Sequence, residues 1–187
     1  MDLQFKNQRK SFQTFSKIYF WTATIHNWYH MMERDDQKEK IIEVFDMLSS
    51  KKLVSIYGFV IMPNHIHVIW EQHGLYGREM PFAAFMKITA WQFLDIIDQQ
   101  GITDLFKVDA ANKKHEIWKR DSKALELYSK RITQQKLNYI HANPISGKWK
   151  LAENNTDYHY SSAGFYQNGG NDFGFLKDIY QVLDSQS

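Results

Sequence analysis

The chain has 187 residues, 43% hydrophobic and 16% aromatic, enough to bury the core of one domain with an appendage. It has no cysteine, which excludes a disulfide framework, a thiolate metal centre and a thiol nucleophile. Net charge is only +2, so a nucleic-acid surface would have to come from local pairs such as Lys130 with Arg131 or Lys148 with Lys150.

Residues 1–16 are polar and are expected to be loosely ordered. MDLQFKNQRK lacks the apolar core of a signal peptide, and no apolar run approaches a membrane span. The expected location is the cytoplasm, with no membrane partner. Residues 18–25 (IYFWTATI) are β-branched and aromatic, the pattern of a strand. Residues 35–49 place Ile41, Ile42, Phe45 and Leu48 at helical spacing. Residues 53–62 predict a strand, Pro63-Asn64 a turn, and 65–71 a second strand antiparallel to the first.

Residues 82–100 predict a helix with one stripe of Phe82, Phe85, Met86, Thr89, Phe93, Ile96 and Ile97, stopped at Gly101. Its other side still carries Ile88, Trp91 and Leu94. Residues 115–119 predict a short strand, and 123–142 a helix that Pro144 ends. NNTDYHYSS and NGGND are loop signals, and 175–183 a closing helix. The order β-α-β-β-α-β-α predicts an α+β fold: a ferredoxin-like sandwich, an antiparallel sheet with helices on one face. We divide the chain at 1–150, a catalytic domain, and 151–187, a C-terminal extension.

His65 and His67 are one residue apart on a predicted strand. Alternate side chains share a strand face, so both imidazoles point one way and can hold one divalent ion. On a half-exposed strand the same pair can also be only structural. Tyr139 and Asn143 are four apart on a predicted helix and share a face, rotated away from Leu137 and Ile140. Asn143 offers an amide oxygen to a hard cation. His141 points elsewhere and is a poorer ligand. With ten tyrosines in the chain, spacing alone does not single out Tyr139.

The M-P-N-H-I-H strand, followed about seventy residues later by Y-I-H-A-N-P, resembles the HUH single-tyrosine transposases of the IS200/IS605 type. DYHYSS at 157–162 and Ile117-Trp118 are similar to the REP-associated branch. The resemblance implies His65 and His67 as metal ligands, Tyr139 as nucleophile and Asn143 as third protein ligand, with Mg²⁺ or Mn²⁺ as the ion. The IS200/IS605 enzymes generally carry Gln where Asn143 stands, and a shorter amide must bring the helix closer to the sheet. The implied activity is nicking and rejoining of single-stranded DNA beside a hairpin through a covalent 5′-phosphotyrosine, by a monomer or a homodimer. The absence of a G-x-x-x-x-G-K-[ST] loop agrees with a reaction that needs no ATP. Lys87, Trp91, Lys130 and Arg131 are candidate DNA contacts. The alternative is a domesticated, non-catalytic protein that binds structured DNA.

Overall fold

A computed structural model describes residues 12–111, 113–170 and 172–185. The first eleven residues of the segment expected to be loosely ordered lie outside them. The rest of that segment is tied down: Gln13 is buried, and its Oε1 accepts from Trp70 Nε1 at 2.9 Å and Gln72 Nε2 at 2.8 Å.

Four antiparallel strands form the main sheet in the order β2-β3-β1-β6: β1 (Ile18–Thr24), β2 (Val54–Met62), β3 (His65–Gln72) and β6 (Lys123–Glu126). With α1 (Asp35–Ser50) between β1 and β2, and α2 (Pro81–Gln99) between β3 and β6, this is the ferredoxin-like α+β arrangement expected. Both helices start where local chemistry permits. Asp35 and Asp36 sit in the first turn of α1, where carboxylates complement the helix dipole. Pro81 opens α2, and the buried Gln72 side chain accepts from Phe82 N–H at 3.1 Å.

Alternation along the strands divides the sheet into two faces. One face carries Trp21, Ile66, Val68, Trp70 and Phe59, against Phe45 of α1 and Phe85 of α2. The other carries Phe20, Thr22, His65, His67, Gly58 and Val60. The helices of the ferredoxin-like core thus cover one face. The helix that follows it, α3 (Lys130–Ala142), lies on the opposite face over β2 and β3.

The sequence reading misplaced two elements. Lys123–Glu126 is an edge strand, not the first turn of a helix: Thr22 faces Lys123 and Tyr19 faces Glu126 across the ladder. Its residues favour helix, but the buried outer edge of β1 needs backbone partners, and pairing outweighs propensity. Ser129 then caps α3, its hydroxyl accepting from Ile132 N–H at 3.4 Å. The strand predicted at 115–119 is a single bridge between Trp118 and Ile25, beside a separate two-stranded hairpin, β4 (Lys107–Ala110) with β5 (Lys113–His115). The closing helix is shorter than predicted, α5 (Ile179–Ser185), and a short α4 (Ala163–Asn168) precedes it.

Residues after 150 share the core of those before it. Tyr158, Tyr160, Phe173, Phe175, Leu176 and Ile179 are buried in the same apolar cluster as the sheet. The DYHYSS stretch runs along the outer edge of β2: Ile61 N–H donates to Tyr160 C=O at 2.9 Å, and Ser162 N–H to Phe59 C=O at 2.9 Å. That segment covers an edge that would otherwise expose backbone groups.

Candidate active site

β3 places the two histidines and α3 places the phenol. The rings of His65 and His67 have centroids 4.9 Å apart, both buried. The Tyr139 ring stands edge-on to His67 at 5.3 Å and to Phe20 at 6.0 Å. Tyr139 is 49% exposed, so one flank of the phenol rests on the site and the other meets solvent. Leu137 and Ile140, the anchors of α3, are buried against the sheet.

The approach of α3 to the sheet is set at Gly58. A methyl group there would meet Leu137 Cδ1 at 2.8 Å and Ile140 Cδ1 at 3.1 Å, so a side chain at 58 would force the anchors of α3 to shift. Asn143 is buried just past the end of α3, and its Nδ2 donates to Tyr139 C=O at 3.2 Å.

Hydrogen bonds fix the orientation of His65. Asn64 Nδ2 donates to Trp28 C=O at 3.0 Å, which turns Asn64 Oδ1 toward His65 Nδ1 at 2.8 Å. His65 Nδ1 is therefore the protonated nitrogen, and Nε2 keeps its lone pair. His67 Nδ1 lies 2.7 Å from Thr22 Oγ1, while its Nε2 is buried with no hydrogen-bond partner. A second neighbour holding one ring nitrogen and leaving the other open is the usual support of a metal-ligating histidine.

Burial pushes both imidazoles toward the neutral, ligating form. His65 is pushed down to about 4, mainly by burial, with the Lys148 charge adding to it and the Asn143 hydrogen bond opposing it. His67 is pushed down to about 3 by burial first, then by His65 and Lys136. Among the described residues no carboxylate or further imidazole joins the pair. His65 and His67 offer two imidazole nitrogens and Asn143 an amide oxygen, a donor set that could hold a hard or borderline divalent cation.

Of the sequence-predicted residues, the structure brings His65, His67, Tyr139 and Asn143 together. Lys87 and Trp91 belong to α2, on the opposite face of the sheet; Lys87 pairs with Glu79 at 2.8 Å and Trp91 is exposed. Lys130 and Arg131 begin α3, roughly two to three helical turns from Tyr139. Lys130 pairs with Asp184 at 2.6 Å, and Arg131 is exposed. His141 points away from the site, its Nε2 2.8 Å from Ser162 Oγ. Sequence reasoning missed Thr22, Phe20 and Lys136, which only the β1–β3 register and the placement of α3 bring to the site. Asn64 was legible as a turn residue but not as the partner of His65.

No family model matches the sequence, and no curated protein matches it. Among solved structures, a REP-associated tyrosine transposase bound to a REP hairpin superposes with a TM-score of 0.56, at 14% identity, covering 90% of this chain and 87% of that one. The chain has the fold of that tyrosine transposase. A candidate transposase from Deinococcus radiodurans R1 also aligns, with a TM-score of 0.41 and 12% identity, over 70% of this chain and 92% of that one. In the tyrosine transposase fold of this chain, the imidazole pair and the phenol occupy facing elements of a single chain. No helix among the described residues is long and apolar enough to cross a membrane.

Proposed function

We propose that the chain cleaves and rejoins single-stranded DNA next to a hairpin, with Tyr139 as nucleophile. The observation that carries this reading is the half-exposed phenol standing 5.3 Å from the buried His67 ring, whose Nε2 has no partner. A tyrosine used only for packing has no need of a neighbouring pair of oriented, neutral imidazoles. The shared fold with a hairpin-bound tyrosine transposase supports the same class of substrate.

His65, His67 and Asn143 would hold Mg²⁺ or Mn²⁺, and a cation bound there polarises the phosphodiester and eases departure of the leaving oxygen. Asn64 and Thr22 orient the two imidazoles. Phe20 stacks on His67 at 5.2 Å and walls the site on the β1 side. Tyr139 attacks phosphorus: a P–O bond forms to the phenol oxygen, the P–O3′ bond breaks, and a 3′-hydroxyl is released. Attack by a second 3′-hydroxyl on the 5′-phosphotyrosine reverses the step and joins strands. Phenol and imidazoles meet within one chain, so the chemistry requires no second copy.

The test uses a labelled pool of hairpin oligonucleotides with randomised single-stranded flanks, incubated with protein and Mn²⁺. A denaturing gel should show a protein–DNA adduct that EDTA, Tyr139→Phe or the double change His65→Ala with His67→Ala abolishes. Hairpin binding without any adduct would favour the binding-only alternative. Cleavage that survives Tyr139→Phe would favour a phosphoesterase using water.

A further inference from the structure

Lys136 lies one helical turn before Tyr139, on the same face of α3. Its Nζ stands 4.9 Å from the centre of the Phe20 ring and 5.6 Å from that of Tyr139. Phe20 in turn stacks on His67, so one ring links the ammonium to the imidazole pair. Six lysines elsewhere pair with carboxylates, among them Lys87 with Glu79 and Lys130 with Asp184. Among the described residues Lys136 has no carboxylate within ion-pair distance; its contacts are the two aromatic faces.

A lysine ammonium without a counter-ion, held at the nucleophile's ring on a partly buried residue, is an arrangement that an incoming anion completes. The anion this site would meet is a phosphodiester. We infer that Lys136 is a further catalytic residue, whose ammonium binds a non-bridging oxygen of the scissile phosphate as Tyr139 attacks. This rests on the strand-cleavage reading. The bonds are those of that reaction: P–O forms to the phenol, P–O3′ breaks, the phenol proton leaves to water and the released oxygen takes one from water. Lys136 transfers no proton in this step; its ammonium neutralises charge that concentrates on the phosphoryl oxygens.

The experiment compares Lys136→Met, which keeps the apolar stem over Phe20, with Lys136→Arg, which keeps the charge. The probe is the hairpin pool and, once the wild-type cut is mapped, the cut oligonucleotide with a neutral methylphosphonate at that position. We expect Lys136→Met to lower the single-turnover rate about 10²-fold while hairpin affinity changes about threefold or less, and Lys136→Arg to stay within about tenfold of wild type. The methylphosphonate should be cut equally slowly by wild type and Lys136→Met, because the interaction each removes is the same one. A Lys136→Met protein with the wild-type rate, or one slowed by the same factor on both substrates, would overturn the role of Lys136 alone. A wild-type protein that forms no Tyr139-dependent adduct would overturn the strand-cleavage reading and this role with it.

Discussion

Beneath α1 and α2, Trp21 and Trp70 stack 5.0 Å apart, fully buried, with Phe45 and Phe85 filling the space between sheet and helices. Beneath α3 the same strands present Thr22, His65 and His67, and leave a buried ring nitrogen without a partner. The first face is the source of stability. The second gives some up: two buried imidazoles contribute less than two apolar side chains, and an unpaired buried polar atom carries a desolvation cost of about 1–3 kcal/mol. Trp21 Nε1 on the first face is buried without a partner too, so what sets His67 Nε2 apart is its place beside His65 and the Tyr139 ring, where the proposed cation would bind.

The largest effect that sharpens this contrast is on the apolar face. Trp70→Ala should cost about 3–5 kcal/mol in chemical denaturation. It should leave Mn²⁺ affinity unchanged at a temperature where the variant is folded. Acidification should come next, and acts from the other face. In metal-free buffer His65, His67 and His141 are all held below the ordinary 6.5 by burial. The unfolded chain then takes up protons that the folded one refuses. Stability is nearly full above about pH 7 and falls as pH drops toward 4, by about 2 kcal/mol per ring by pH 5. Melting curves in EDTA from pH 8 to 5 measure this, and a flat profile would break the picture of neutral buried imidazoles.

Gly58→Val should crowd Leu137 and Ile140 and disturb the seating of α3 on the sheet. We expect about 1–3 kcal/mol of destabilisation together with weaker metal binding, because Asn143 moves with the helix. Loss of stability without loss of metal affinity would mean that Asn143 is not a ligand. The smallest effect on stability is expected at Asn64→Ala, which frees the His65 ring to choose its tautomer. It should lower Mn²⁺ affinity about 10- to 100-fold by calorimetry while hairpin binding without metal is unchanged.

The two faces also differed in how well the sequence could be read. Of the stripes that periodicity predicts, Phe85, Thr89, Phe93 and Ile97 in α2 and Ile41, Phe45 and Leu48 in α1 are buried, while Phe82, Met86, Ile96 and Ile42 are partly buried at the margins. The pairing of His65 with His67 followed from strand alternation alone. The exposure of Tyr139 followed from its rotation away from Leu137 and Ile140. Choosing it among ten tyrosines required the family resemblance. Lys123–Glu126 was misread because its propensity is helical and its strand pairing is a tertiary fact. Thr22 and Lys136 carry no local signal: they reach the site through the β1–β3 register and the seating of α3 at Gly58, which no short window of sequence contains. The role of Trp28 is hidden for the same reason, since only its carbonyl takes part, in turning Asn64 toward His65.

The most direct measurement of the central claim is mass spectrometry of the protein after reaction with the hairpin pool and Mn²⁺, followed by nuclease trimming and proteolysis. The account predicts a nucleotide attached through its 5′-phosphate to Tyr139, on the peptide that contains Leu137 and Ile140. Cut DNA with an unmodified Tyr139 peptide, or an adduct on any other tyrosine, would contradict it.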